Sequence, residues 1–281
     1  MFAVSIAAGL IGALAGVGGG ILVIPVLTIG FGVDIRLAVG ASIVSVIATS
    51  SGAAAAYVRD RMTDMRVGMF LELATTTAAS SAPHTAPVVV GALLAAVVAP
   101  AFLYVLLGVV LLSSAGMQVA RLGEETPPTS PPSALAVRLR LESSYPDRRL
   151  GREVPYSARR IPLGFALMWI AGVVSGLLGI GSGVLKVLAM DGAMRLPMKV
   201  SSATSNFMIG VTAAASAGIY LSRGDVDPRI AAPVALGVLA GALVGARLLQ
   251  HISNRAVRLV FLPVLVVVGL ETIGRGLGFG L

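Results

Sequence analysis

The sequence predicts an all-α membrane protein in which about eight hydrophobic segments form two homologous repeats of four. Three observations predict this fold class. The chain of 281 residues is 56% hydrophobic and only 12% charged, whereas a soluble domain carries about 25% charged residues. Many apolar stretches reach the roughly 20 residues that a helix needs to cross a bilayer. The glycine run at residues 16–20 recurs at residues 179–183.

The two glycine runs predict a break in the first helix of each repeat. They read Gly-Val-Gly-Gly-Gly and Gly-Ile-Gly-Ser-Gly. Each glycine inside a helix costs about 1 kcal/mol relative to alanine. A break also frees backbone groups that hydrocarbon does not tolerate, so it must be buried in protein or face a cavity. We therefore expect both breaks at the centre of the protein.

An offset of 163 residues aligns the two halves without a gap from residue 8 to residue 66. The alignment places Gly16 on Gly179, and it extends beyond small residues. The most specific matches are Tyr57 with Tyr220, Asp64 with Asp227 and Arg66 with Arg229. These residues flank turns, where interfacial tyrosines and loop charges act as ordinary anchors. Further on the halves diverge, and the stretch around Pro83-His84 is the expected insertion in the first half.

Eight apolar segments are predicted, and one polar stretch divides them. The first repeat covers residues 1–118, with segments at 2–27, 37–58, 67–98 and 101–118. The second repeat covers residues 161–281, with segments at 161–190, 200–221, 230–250 and 256–273. Residues 119–160 are rich in proline and carry eight arginines. This composition predicts a mobile linker, and its arginines favour the cytoplasmic side.

The glycine breaks leave two orientations open. If the first segment of each repeat spans the membrane, both termini are cytoplasmic and the repeats are parallel. If those segments are re-entrant, both termini are outside and the repeats are inverted. The distribution of lysine and arginine does not choose between these models. The inverted arrangement is common in secondary transporters.

Composition also argues against several classes of protein. The absence of cysteine excludes disulfides and thiolate metal sites, and the two histidines, His84 and His251, lie too far apart in sequence to suggest a zinc site. No Walker-type motif or catalytic constellation occurs in the apolar segments, so we expect no enzyme, no metal and no cofactor. The net charge of +8 suggests cytoplasmic loops and anionic lipids as partners rather than nucleic acid. A homo-oligomer stays open.

Paired breaks at matching positions indicate a transporter with its binding site near the membrane midplane. The alternative is a duplicated structural bundle without transport. We favour transport, because intramembrane breaks are tolerated only beside protein or a cavity.

The residues around both breaks resemble the TauE/SafE family of sulfite and sulfonate exporters. Residues 12–25 are similar to the first-repeat signature of the family, and residues 175–183 to the second; residues 38–42 and 199–205 resemble the helix openings that follow. The resemblance implies export of small sulfur-containing anions, without fixing the substrate. Two features depart from the pattern: Ser182 replaces a usual glycine, and Pro83-His84 interrupts the third helix. The resemblance does not cover the linker, which is longer than the family pattern needs.

Charged side chains within apolar segments are functional candidates, because they are expensive in a membrane. Lys186 follows the second break and could hold an oxyanion; the alternative is a lysine that snorkels or pairs with Glu72. Glu72 could accept a coupling proton or act structurally. Arg247 could bind a sulfonate with its planar fork, although snorkelling is the preferred interpretation because Gln250-His251 is about one turn away.

The remaining predicted substrate-binding residues are neutral and lie in or next to the breaks. Their backbone amides, hydroxyls and amide group could line the path, although such groups also bond to neighbouring helices. They are Gly18, Gly19, Gly20, Gly181, Ser182, Gly183, Ser42, Ser205 and Asn206. The sequence thus predicts a gradient-driven exporter of sulfite or organosulfonates in the cell membrane. A transporter of the same architecture for a carboxylate, a metal ion or sulfur-compound uptake is the alternative.

Overall fold

The protein is a helical bundle with one small β-hairpin. The computed structural model describes residues 1–76, 87–94, 97–120, 122–123, 133–178 and 183–279. Gly181, Ser182 and the Pro83-His84 stretch lie outside the described residues. Within them, three helices are long and apolar enough to cross a membrane, namely Ile35–Arg59, Ala101–Ala120 and Pro228–Leu249. Shorter apolar helices are Phe2–Ala15, Gly20–Gly30 and Ile161–Leu177.

The first half contains six helices in the described ranges. They are α1 (Phe2–Ala15), α2 (Gly20–Pro25, continued by a π-helical turn at Val26–Gly30), α3 (Ile35–Arg59), α4 (Met65–Thr76), α5 (Pro87–Leu94) and α6 (Pro100–Ala120). The linker region contains α7 (Ala134–Leu139), β1 (Glu142–Asp147) and β2 (Arg152–Ser157). The second half contains α8 (Ile161–Leu178), α9 (Gly183–Val187, continued by a π-helical turn at Leu188–Ala193), α10 (Met198–Ser222), α11 (Pro228–Leu249) and α12 (Asn254–Gly276).

The first predicted break is confirmed. Helix α1 ends at Ala15, and Gly16 closes it in the left-handed region at φ 74°, a conformation that glycine adopts at low cost. The N–H groups of Val17 and Gly18 then donate to the carbonyl of Gly12 at 3.0 and 3.2 Å. Both bonds go to one carbonyl near the end of the helix, where partners within the helix run out.

Several helices of the second half begin 163 positions after their counterparts in the first half, which is the offset found in the sequence alignment of the two halves. Helices α3 and α10 have 25 residues each, and their first residues, Ile35 and Met198, are 163 positions apart. Asp64 accepts a hydrogen bond from the N–H of Val67 at 3.0 Å. Asp227, its counterpart, accepts one from the N–H of Arg229 at 2.8 Å. Both aspartates therefore cap the helix that follows, which is a more specific role than the structural anchor that the sequence predicted.

The two halves interlock rather than pack as separate bodies. Helix α1 packs against α11, whereas α8 packs against α4 and α5; α3 packs against α10, and α6 against α12. The contact of α1 with α11 depends on Gly237, Gly241 and Gly245, which lie against main-chain atoms of α1. Small residues four positions apart let helix backbones approach closely, which is how helices associate in lipid.

The linker is partly ordered, so the expectation of a mobile segment is wrong for residues 134–157. Because part of the linker forms strands, the fold is mostly but not purely α-helical. Strands β1 and β2 pair antiparallel, with Tyr145 opposite Val154. Both of these side chains are buried. A two-stranded hairpin is marginal in isolation, so packing on the helices must stabilise it. The sequence did not predict this hairpin, because arginines and prolines are typical of a solvated segment.

Two polar contacts tie the hairpin to helices from both halves. Tyr156 Oη donates to Asp64 Oδ2 at 2.9 Å, at the start of α4. Lys199 Nζ donates to both carboxylate oxygens of Asp147 at 3.1 Å, at the start of α10. Burial raises the pKa of the Tyr156 phenol, and the neighbouring carboxylate of Asp64 raises it further. The phenol therefore stays protonated and donates.

Removing the Tyr156 hydroxyl should loosen the hairpin without unfolding the bundle. Tyr156→Phe loses one hydrogen bond to a carboxylate, which is worth about 1.5–3 kcal/mol. Hydrogen exchange should therefore accelerate at the β2 amides and stay unchanged at the α3 amides. Tyr104→Phe, at a half-buried position of α6, is the matched control. Equal exchange at β2 in wild type and Tyr156→Phe would contradict the proposed tie.

Candidate functional site

The first break meets the start of helix α9 in the buried interior. A Cβ atom placed on Gly183 would lie 2.5 Å from Val17 Cα, so the backbone at the start of α9 touches the backbone of the first break. Ser205 Oγ lies between them. It hydrogen-bonds the carbonyl of Gly16 and is 3.3 Å from the carbonyl of Gly183. One hydroxyl thus contacts a carbonyl of the first break and a carbonyl at the start of α9.

Asn206 holds the end of α1 beside this junction. Its Nδ2 donates to the carbonyl of Ala13 at 2.8 Å and to that of Ser202 at 3.0 Å. Tyr57 Oη donates to the same Ala13 carbonyl at 2.9 Å. The other amide atom, Asn206 Oδ1, is buried and has no hydrogen-bond partner among the described residues. An unpaired buried acceptor costs about 1–3 kcal/mol, so this atom is a candidate ligand contact.

The first glycine run packs against helix α3 with no room for side chains. A Cβ atom on Gly20 would lie 2.5 Å from Ser42 Oγ. The N–H of Gly19 donates to Thr49 Oγ1 at 3.3 Å. Gly18 adopts φ 68°, which disfavours any other residue type. Gly18, Gly19 and Gly20 therefore have no space for a side chain, and Gly20 lies directly against Ser42. A role of these four residues in substrate binding stays a prediction.

Lys186 lies in a buried polar cluster with Glu72 and Thr212. The lysine is fully buried and its Nζ is 2.9 Å from Glu72 Oε2. Thr212 Oγ1 donates to Glu72 Oε1 at 2.5 Å and is also hydrogen-bonded to Lys186 Nζ. The three residues come from α9, α4 and α10. The sequence left open whether Lys186 pairs with Glu72, and the structure confirms that it does.

Thr212 is the member of this cluster that sequence reasoning missed. It matched Thr49 in the repeat alignment, and that match was the available signal. The two threonines have different partners, since Thr49 bonds the glycine backbone and Thr212 bonds charged side chains. The difference arises because Lys186 replaces Val23 at the corresponding position of the repeat.

Two further buried ion pairs escaped the sequence analysis. Arg258 Nη2 on α12 lies 2.8 Å from Asp191 Oδ1 in the turn after α9, and Lys199 binds Asp147 of the hairpin. Each pair joins residues that are more than 50 positions apart in the chain. Such pairings depend on tertiary structure, so composition and spacing could not reveal them.

Arg247 is not brought into this cluster. It lies on the exposed side of α11 near the C-terminal end of the helix. The adjacent turn contains His251, whose Nδ1 is 3.1 Å from the Arg247 carbonyl. This position matches the snorkelling interpretation of its side chain. A role in substrate binding stays a prediction for Arg247.

A broken first helix that contacts the start of α9, three residues before a buried lysine, is typical of one class of protein. Soluble bundles do not need such breaks, whereas transporters place discontinuous helices and charged side chains in the membrane interior. The interlocked halves and the apolar helices place this chain among the helical membrane transporters.

The chain belongs to the TauE/SafE family. The family model described as "Sulfite exporter TauE/SafE" matches residues 1–272, so the match includes both breaks and the linker. A relative is the "Probable membrane transporter protein YunE" of Bacillus subtilis, which is 25% identical over 279 residues. The alignment covers 96% of this chain and 95% of that protein. No solved structure matches the chain.

Gly183→Ala should destabilise the protein, because the new methyl group would collide with the Val17 backbone. Overpacking of this kind costs about 1–3 kcal/mol. The matched control is Gly218→Ala on α10, where no atom lies within 4 Å of the new Cβ and helix propensity favours alanine by up to about 1 kcal/mol. Thermal unfolding in detergent should separate the two variants. Similar melting temperatures would contradict the contact between the breaks.

Proposed function

We propose that the protein is a multi-pass transporter of the cell membrane that exports a small sulfur oxyanion, sulfite or an organosulfonate. The observation that carries the proposal is the fully buried Lys186 beside the second glycine break. A buried cation without a functional task is costly in a membrane. The family membership supports the sulfur oxyanion as cargo.

The cluster has the chemistry that a small oxyanion requires. Lys186 supplies three N–H donors and a positive charge, and Thr212 supplies a hydroxyl. Charge-assisted hydrogen bonds to an oxyanion are about twice as strong as neutral ones. Thr212 is close to the middle of the 25-residue helix α10. This depth agrees with a substrate site near the membrane midplane.

Glu72 provides a route to coupling with a proton gradient. Its carboxylate and the substrate are both anions, so they compete for Lys186. Protonation of Glu72 removes its charge and releases Lys186 to bind the substrate. Deprotonation restores the pair and displaces the substrate. Proton binding and anion binding are then linked on one lysine, so the anion and a proton cross together. Export proceeds when the outward concentration gradient of the anion exceeds the opposing proton gradient, and no ATP is required.

The architecture offers the two states that transport needs. In this proposal the eight segments form two homologous repeats, most naturally inverted, that rock against each other. Ser205 supports the proposal because it hydrogen-bonds both breaks across the boundary between the halves. Motion of one half would change these contacts and open the buried cluster to one side at a time.

A transporter of the same architecture for a carboxylate is the second candidate. Lysine is a compact point charge and does not select the geometry of a sulfonate over that of a carboxylate. A thermal-shift screen with sulfite, sulfate, thiosulfate, methanesulfonate and acetate separates the candidates, since a bound ligand raises the stability of the folded state. Stabilisation by acetate alone would favour the second candidate.

Lys186→Ala should lower sulfite export by about 10- to 100-fold, because it removes hydrogen bonds to the anion worth about 1.5–3 kcal/mol. The measurement is sulfite flux in reconstituted vesicles. Removing one partner of a buried pair also destabilises a protein, so Lys186→Ala/Glu72→Gln serves as a second variant without an unpaired carboxylate. Arg229→Gln, at an exposed position, is the control. Normal sulfite flux in both Lys186 variants would contradict a role of Lys186 in anion binding.

Glu72→Gln should uncouple transport from the proton gradient while keeping the site. The variant leaves Lys186 free to bind the anion, so sulfite/sulfite exchange across vesicles should continue. Accumulation driven by a pH gradient should fall to background, because the group that takes the proton is gone. Glu271→Gln, at an exposed position of α12, is the matched control. Gradient-driven accumulation by Glu72→Gln would refute the coupling role.

A further inference from the structure

Two buried tyrosines hold the last turns of the helices that lead into the two glycine runs. Tyr57 Oη donates to the carbonyl of Ala13 in α1 at 2.9 Å, and Tyr220 Oη donates to the carbonyl of Gly176 in α8 at 2.6 Å. Each carbonyl lies two residues before the last residue of its helix, where partners within the helix run out. The same contact therefore occurs in both halves at the offset of 163 residues. Both tyrosines are at most 1% exposed.

The two tyrosines lie at opposite ends of the bundle, because α3 and α10 run antiparallel. At the end where the linker hairpin packs, the N–H of Asp64, which follows α3, donates to Thr204 Oγ1 near the start of α10 at 2.9 Å. At the other end, Gly40 near the start of α3 lies directly against the carbonyl of Asp225, which follows α10. Each tyrosine is two residues before the last residue of its own helix. Tyr57 therefore lies at the linker end of the bundle.

The buried cluster around Lys186 lies between these two helix ends in depth. Three residues of α10 mark the levels along its axis. Asn206 donates to the Ala13 carbonyl of α1, Thr212 is hydrogen-bonded to Lys186, and Tyr220 holds the end of α8. The first two levels are six positions apart and the last two are eight, which corresponds to about 9 and 12 Å along the helix axis. These residues face different neighbours, so the order describes depth alone.

Both helix ends are also linked to the segment that carries Lys186. The backbone of Val17, just beyond the end of α1, touches Gly183, and Lys186 follows three residues later. The end of α8 leads along the chain into the same segment, since Gly176 precedes Lys186 by ten positions. Each helix end therefore lies between the cluster and one end of the bundle.

We propose that the last turns of α1 and α8 are the two gates of the transport path, and that Tyr57 and Tyr220 are the latches that hold these gates shut. Release of Ala13 by Tyr57 opens the cluster towards the linker end. Release of Gly176 by Tyr220 opens it towards the opposite end. A neutral hydrogen bond contributes little net stability, so each latch opens and closes readily. The inference rests on the proposed function in one respect, since alternating access requires a transported substrate.

The chain has no cysteine, so a single thiol can report on access to the cluster. Val184→Cys places it two residues before Lys186, at a position that is 1% exposed. A small, membrane-impermeant thiosulfonate reagent should label this thiol slowly, both in intact cells and in inverted membrane vesicles. Ser143→Cys on the hairpin and Ser222→Cys at the end of α10 are both exposed. Their labelling identifies which side of the membrane faces the linker end and which faces the opposite end.

Tyr220→Phe in the Val184→Cys background should speed labelling about fivefold from the side on which Ser222→Cys is labelled. The factor is that expected for one lost hydrogen bond. Labelling from the other side should stay unchanged, because the other latch is intact. Tyr104→Phe, at a half-buried position of α6, is the matched control. Labelling of Tyr220→Phe at the parent rate would overturn the proposal, as would faster labelling from both sides, which indicates a loosened fold.

Tyr57→Phe should act from the linker side alone and more weakly, because Asn206 Nδ2 still donates to the Ala13 carbonyl at 2.8 Å. Asn206 corresponds to Ile43 in the first half, so this second donor belongs to the linker-end gate. Tyr57→Phe/Asn206→Ile removes both donors and should speed labelling from the linker side at least fivefold. Slow linker-side labelling of this double variant would overturn the role of Tyr57.

The same samples distinguish failure of the latches from failure of the proposed function. Labelling requires no transport, and sulfite flux through the reconstituted protein is measured separately. One-sided labelling as described, in a protein without sulfite flux, would support the two gates and refute sulfite export. Sulfite flux that depends on Lys186, with labelling indifferent to both tyrosines, would support export and refute the latches.

Discussion

The structure depends on one constraint: backbone that leaves a helix inside the membrane must find partners within the protein. The two breaks satisfy much of this requirement together. Gly183 touches Val17, and Ser205 hydrogen-bonds carbonyls from both breaks. Glycine is needed because any side chain would separate the two backbones. The contact also explains the exchange of helices between halves, since α1 and α8 each leave their own half to pack on the other.

The two breaks occupy matching positions in the two halves, but the residues that follow them differ in chemistry. The first is followed by apolar residues and is satisfied by Thr49. The second is followed by Lys186, whose charge brings Glu72 and Thr212 into one buried cluster. A protein with two identical breaks would have no preferred place for an anion. Here one half supplies the lysine, and the other supplies the carboxylate that neutralises it.

The linker adds an ordered hairpin that contacts helices from both halves. Its hairpin contributes Asp147 to Lys199 and Tyr156 to Asp64, so a segment outside the bundle contacts the first turns of α4 and α10.

The sequence by itself determined the helical membrane class and the first break, because hydropathy and glycine content act over a few residues. It also singled out Lys186 and Glu72, since charge in an apolar segment is rare. Only the tertiary structure decided that these two pair, that Thr212 joins them, and that the linker folds into a hairpin over Lys199. Those contacts join residues far apart in the chain, and their energy depends on burial, which no local pattern records.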